Sequence, residues 1–163
     1  MTEMIDVAGL GAGAVVVGVD GSTSARQALA TALREAALRS AAVLAVTTYD
    51  PPDRWAPEAA GLVDLEAIER ELRAETEKAV SEVAGQVGAE GIDVPEVRIV
   101  VAAGSAADVL CRIATGALLL VVGHRGRGAL ATRLIGSVGL GVVVHASCPV
   151  LVVRTTAAPQ ETR

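Results

Sequence analysis

Aromatic residues are nearly absent from this chain, at 1% of 163 residues. The core of a 52% hydrophobic sequence must therefore be filled by Val, Leu, Ile and Ala. That suits a sheet of branched residues covered by Ala/Leu-rich helices. Lysine is scarce as well: Lys78 is the only one, so arginine carries the positive charge. With a net charge of −5 and a pI near 5.0, and no basic run, the chain is not built for general nucleic-acid binding. Mean hydropathy is +0.49, yet the apolar runs are too short to span a bilayer. The N-terminus lacks a basic start, an apolar core and a cleavage site, so the expectation is a cytoplasmic protein without a signal peptide or membrane contact. Cys111 and Cys148 stand apart and read as small core residues rather than a disulfide or metal pair.

Three motifs are missing too. There is no Gly-x4-Gly-Lys-Ser/Thr, and no Gly-x-Gly-x-x-Gly follows the first apolar strand. His124 and His145 are the only imidazoles, and nothing shows metal-ligand spacing, so no protein-only metal site is expected. A Ser-His-Asp assembly from Ser137, His124 and Asp20 finds no support in the sequence.

What is present alternates between strand and helix. Residues 1 to about 13, ending Gly-Leu-Gly-Ala-Gly, show no period and predict a flexible arm. Val15 to Val19 is a wholly apolar strand, and Asp20-Gly21-Ser22 is the turn at its end. Ser22, Thr23 and Ser24 offer caps to a helix whose stripe is Ala28, Leu29, Ala32, Leu33, Ala36 and Ala37. A second strand covers Ala42 to Thr47. Thr48 to about Gly61, with Pro51-Pro52, Trp55 and Pro57, reads as a loop, either folded over the core edge or flapping over a pocket. Leu65, Ile68, Leu72, Thr76, Ala79, Val83 and Val87 mark a helix from about Val63 to Val87, with Glu and Arg pairing along its outer faces and glycines 85, 88 and 91 unravelling its end. Val97 to Val101 is the third strand. Ser105-x-x-Asp108 resembles a capping box before a helix that buries Val109, Leu110, Ile113 and Ala114. Leu118 to Val122 is the fourth strand and Val150 to Val153 the fifth. Between them, Val138 to Ala146 contains poor helix formers, but a parallel sheet needs a crossover there, so a helix is expected. The tail after Arg154 is polar and expected to fray.

One stretch organises the rest. Gly123-His124-Arg125-Gly126 leaves the fourth strand, nine residues follow, and Gly136-Ser137 comes back as at a helix start. Glycines let a ligand approach the main chain, and a helix start supplies N–H donors and positive potential.

This Gly-x2-Gly-x9-Gly-Ser spacing resembles the nucleotide-binding signature of the universal stress protein family. Val15 to Ser22 is similar to that family's opening strand and loop, and Cys148 to Val153 to its closing strand, so the resemblance covers roughly residues 14 to 154. It implies a three-layer α/β/α open sandwich: a single domain over 14–154 with a five-stranded parallel sheet, Rossmann-like, in the order 3-2-1-4-5, followed by a disordered tail at 155–163. The first and fourth strands then form a topological switch point, where ligands bind beyond the carboxyl ends. The resemblance also implies ATP or another adenine nucleotide as the ligand, with any magnesium held by its phosphates. Gly18, Asp20 and Val46 would border adenine and ribose. Gly123, His124, Arg125, Gly126, Arg127, Gly128 and Ala129 would line the ribose and phosphates, and Gly136, Ser137 and Val138 would present donors to the phosphates. Each has a bland rival: turn glycines at 123 and 126, a plain cap at Ser137, surface arginines at 125, 127 and 133, an exposed loop residue at His124, a helix cap at Asp20. One departure stands out, since binding members often carry a hydroxyl where this chain has Gly139.

Three functions are compatible with these readings. The first is an ATP-binding stress-response regulator with at most slow hydrolysis. The second is an adenine-nucleotide enzyme, for which no catalytic constellation is visible. The third is an interaction protein of the same fold that binds no nucleotide. A homodimer through the edge strand Val150–Val153 is expected in any case.

Overall fold

A computed structural model describes residues 7–51, 61–126 and 135–155. Its elements alternate as expected: β1 (Val15–Gly18), α1 (Thr23–Arg39), β2 (Val43–Tyr49), α2 (Leu65–Ala89), β3 (Val97–Ala103), α3 (Ala106–Ile113), β4 (Leu119–Gly123), α4 (Ser137–His145) and β5 (Val150–Val153). The strands form one parallel sheet in the order β3-β2-β1-β4-β5. The three-layer sandwich and its order 3-2-1-4-5 are therefore borne out.

Period-two alternation sorts the sheet's side chains into two cores. Val15, Val17 and Val19 face α1 and α2 and pack with Leu29, Leu33, Val83 and Val87. Val16, Leu44, Val46 and Leu120 face α3 and α4 and pack with Val109, Leu110, Ile113 and Val142. β1 is central and covered on both faces, which is why its run is apolar without interruption.

α4 forms despite its glycines because they are packing positions. A β-carbon at Gly141 would lie 2.8 Å from the Ala107 methyl of α3, and one at Gly139 would lie 2.9 Å from Ile135 Cγ1. Tertiary contact outweighs propensity here.

Several expectations are corrected. Residues 7–13 are not a free arm: Gly9, Gly11 and Gly13 donate N–H groups to the carbonyls of Arg112, Ile113 and Gly116 at 2.9, 2.9 and 3.0 Å. They satisfy carbonyls at and beyond the end of α3 that lack a partner within the helix. Val7 is buried in the α3/α4-side core. β2 takes in Thr48 and Tyr49, which pair with Ala102 and Ala103 of a longer β3. Ser105 makes no side-chain cap bond, so the capping box does not form. α2 runs through Gly85 and Gly88 to Ala89, with Gly91 in the left-handed region beyond it (φ 83°). Glu82 and Glu90 reach across to Arg26 and Arg34 of α1, both at 2.6 Å, because the two helices lie side by side. Trp55 lies outside the described residues.

The length of α2 shapes the space above the strand tips. Twenty-five helical residues span about 37 Å, against about 23 Å for a seven-residue strand. The half of α2 that covers the sheet buries Thr76, Ala79, Val83 and Val87. Its first turns overhang the carboxyl ends of the strands, and Leu65, Ile68 and Leu72 are only half-buried.

Candidate functional site

The tips of β1 and β4 bring together residues a hundred positions apart. β1 is followed by Val19, whose N–H donates to Val46 O at 2.8 Å. The chain then turns through Asp20 and Gly21 (φ 78°), a conformation that favours glycine. Asp20 Oδ1 accepts the Ser22 N–H at 2.9 Å, and Ser22 Oγ caps α1 by accepting the Ala25 N–H at 3.1 Å. Asp20 therefore braces the turn, and Ser22 is the cap.

The β4 loop lies against this corner. A β-carbon at Gly123 would come within 2.9 Å of the Ser24 carbonyl, so glycine is required by the close approach of α1 rather than by its φ. One at Gly126 would come within 2.7 Å of Asp20 Oδ2. The meeting of Asp20 with the glycine loop, expected from a switch point, is thus present in the geometry.

The loop closes onto α4, where Gly136 donates its N–H to His124 O at 2.8 Å and takes the N-cap position. Ser137 is the first helical residue; it is exposed, and the N-cap residue Gly136 makes no side-chain cap bond. Like those of any α-helix, the first-turn N–H groups of Ser137, Val138 and Gly139 have no partner within the helix. No acidic residue sits in that turn to offset the positive end of the dipole. Arg125 and Gly126 are exposed beside it. Arg127, Gly128 and Ala129, also expected here, lie outside the described residues, as does Arg133.

His124 is not an exposed loop residue. Its ring is buried, at 6% exposure. Nδ1 lies 3.2 Å from Ser24 Oγ and accepts the Thr155 N–H at 3.3 Å. Thr155, expected to begin a disordered tail, is held by this contact.

A cleft of about 150 Å³ opens on the other side of Asp20, between the tips of β1 and β2 and the overhanging turns of α2. Val19, Asp20, Gly21, Thr47, Thr48, Leu72, Glu75, Thr76 and Ala79 line it. Gly18 and Val46 pair in the ladder one step beneath. Val46 is buried on the α3 side, and a β-carbon at Gly18 would approach Leu110 Cδ1 at 3.1 Å. The residues reaching the cleft are their successors. Deep in it, Thr47 Oγ1 donates to Val19 O at 3.0 Å and lies 2.7 Å from Thr76 Oγ1, whose own hydroxyl reaches Leu72 O at 2.7 Å. Sequence reasoning missed this pair, although a threonine within the apolar stripe of α2 was its signal. At the same end of β2, Tyr49 donates its hydroxyl to Glu69 of α2 at 2.6 Å. Burial, helped by this carboxylate, pushes the phenol up to about 12. A larger concavity of about 400 Å³ lies on the outer face of α1, but Arg26 and Arg34 there are already paired with Glu82 and Glu90.

An open parallel sheet with a glycine loop and an uncapped helix start at its switch point defines a class of α/β proteins suited to anionic ligands. Within that class the family is settled by comparison. The universal stress protein family model matches residues 12–154, and the chain belongs to that family. A universal stress protein of Mycobacterium tuberculosis is 31% identical over 91% of this chain and 49% of its own length. One from Thermus aquaticus is 34% identical over 86% of this chain and 97% of its own. The chain thus spans about half the length of the mycobacterial relative. Among solved structures, the Lactobacillus plantarum protein UspA superposes with a TM-score of 0.72 at 23% identity, covering 87% of this chain and 97% of that one. A universal stress protein in complex with cAMP superposes at 0.56 with 30% identity, covering 90% and 99%. The first of these speaks for the fold alone. Among the described residues, no helix is long and apolar enough to cross a membrane.

Proposed function

We propose that this chain binds an adenine nucleotide, ATP foremost, across the strand tips, and works in the cytoplasm as a stress-response regulatory module. The observation that carries the reading is the uncapped start of α4 beside Asp20, Gly126 and the cleft. Phosphates would take the N–H groups of Ser137 and Val138 and the Ser137 hydroxyl, with Arg125 adding charge. Ribose would rest over Gly123 and Gly126 near Asp20. The base would enter the cleft floored by Thr47 and Thr76, which has room for a flat ring system rather than a whole nucleotide. A relative of this fold binds cAMP, in keeping with an adenine ligand. Magnesium, where it enters, would be carried by the phosphates.

Hydrolysis would be slow, because the imidazole of this loop is buried with Nδ1 turned to Ser24 and Thr155, not toward a water beside the phosphates. Arg125→Ala should weaken ATP binding at least tenfold in a calorimetric titration; unchanged affinity would reject the site. An interaction protein without nucleotide is the second reading. It is favoured by Gly139, which is buried against Ile135 and offers no hydroxyl. Absence of binding by the wild type would select it. We also propose a homodimer through β5, an edge strand whose four residues are all half-buried; a monomer by light scattering at micromolar concentration would count against it.

A further inference from the structure

His124 stands where four elements converge. Its N–H donates to Val153 O at 2.8 Å, continuing the β4–β5 ladder, and its carbonyl accepts the Gly136 N–H at the start of α4. Its ring meets Ser24 in the first turn of α1 and Thr155 just past β5. We propose that His124 is a positioning residue for the glycine loop, and that it holds the loop in place only as a neutral imidazole with its proton on Nε2. The consequence for ligand binding rests on the nucleotide reading of the site; the clasp itself does not.

The tautomer is fixed by the donors. A backbone N–H can only donate, so the Thr155 N–H at 3.3 Å makes Nδ1 an acceptor. Ser24 Oγ, 3.2 Å away, accepts the Arg125 N–H at 3.4 Å and is left to donate its own proton to the same Nδ1. The proton of the neutral ring then lies on Nε2, whose polar neighbour is Thr155 Oγ1 at 3.4 Å. The loop backbone at Arg125, the start of α1 and the end of β5 are thus tied through one buried nitrogen. Protonation would place an N–H on Nδ1 facing the Thr155 N–H. Thr155 would be released, and the loop would lose its side-chain fastening to the segment after β5, keeping only the backbone bond from His124 N–H to Val153 O. Among the described residues, the charged groups on the segments packed around the ring are Asp20 of the β1 turn, Arg26 of α1, engaged with Glu82, Arg125 of the loop and Arg154 after β5. The ring's own hydrogen-bond partners are uncharged. Acidification therefore acts on the ring directly, and the loop loosens as pH falls.

The test uses the whole chain and three readouts. Imidazole 15N shifts of the protein alone should report the Nε2–H tautomer near neutral pH, and the Thr155 amide should be protected from exchange. His124→Leu should expose that amide and weaken ATP binding about tenfold, the equivalent of roughly one hydrogen bond. His124→Asn, whose Oδ1 can accept in place of Nδ1, should recover most of the loss and abolish the pH response. ATP phosphates protonate in the same range, so the quantity read is the affinity of wild type relative to His124→Asn. It should fall about fivefold or more when the pH is lowered from about 8 to about 5. A proton on Nδ1, a Thr155 amide equally exposed in wild type and His124→Leu, or identical pH profiles for wild type and His124→Asn would each overturn the proposal. If no variant binds ATP, the nucleotide reading fails alone, and the tautomer and the exchange rates still decide the clasp.

Discussion

Two helices begin at the same crevice, and they begin differently. α1 is closed by its own sequence: Ser22 caps Ala25, and Asp20 holds Ser22. α4 starts at Gly136 with no side-chain cap and no acidic residue in its first turn. α3 also lacks a cap bond, but Asp108 offsets its dipole and it crosses to the sheet from the β3 edge rather than from the switch point. α4 therefore combines first-turn donors without a partner in the helix, no acidic residue of its own in that turn and a position beside the cleft. A stability-optimised chain would cap α4 as it caps α1; leaving it open is what a ligand needs.

The contrast can be broken from the α4 side. Gly136 has extended backbone (φ −73°, ψ 166°), and a β-carbon there would meet only ordinary contacts, the nearest 3.5 Å from His124 O. Gly136→Asp should therefore cap α4 and stabilise the fold by about 0.5–1 kcal/mol, while its carboxylate displaces phosphate and weakens ATP binding at least tenfold. Thermal unfolding and calorimetry moving in opposite directions is the expected signature; both falling together would mean that α4 was not open for a ligand. Gly141→Ala probes the packing that makes α4 a helix. Propensity alone favours it by about 1 kcal/mol, but collision with Ala107 should leave a net loss of about 1–2 kcal/mol in denaturant unfolding; a gain would show that α3 and α4 separate without cost. On the α1 side, Ser22→Ala should cost about 1 kcal/mol of stability and change ATP affinity less than twofold. The smallest effect under working conditions belongs to Tyr49. The folded phenol titrates near 12 against an ordinary value of 10, so the folded state holds the proton more tightly. Its contribution is fully present below pH 10 and is lost as pH rises from 10 to 12. A spectroscopic titration of the single tyrosine should place its midpoint near 12, and Tyr49→Phe should remove that part of the alkaline instability.

Much of the fold was legible because apolar runs, turns and caps agreed along most of the chain. β1 and β4 announced central strands, and Ala28 to Ala36 announced a buried helix face. The glycine spacing led to Asp20 and Gly126, and the structure puts them in contact. What was not legible depended on long-range partners. Residues 7–13 have no period, yet the end of α3 orders them. Gly139 and Gly141 argue against a helix until Ile135 and Ala107 are seen beside them. Thr76 reads as one more member of an apolar stripe, and only the overhang of α2 turns it into the floor of a cleft. His124 gave no sign of burial, because Ser24 and Thr155 approach it from 100 and 31 residues away.

The most direct measurement is a titration of the nucleotide-free chain with ATP and magnesium, beside Gly136→Asp and preceded by ion-exchange analysis of whatever is released on denaturation. Saturable binding in the micromolar range, lost in Gly136→Asp while that variant unfolds at a higher temperature, is the predicted result. No released nucleotide and no binding by the wild type would contradict the account and leave the open start of α4 without a ligand.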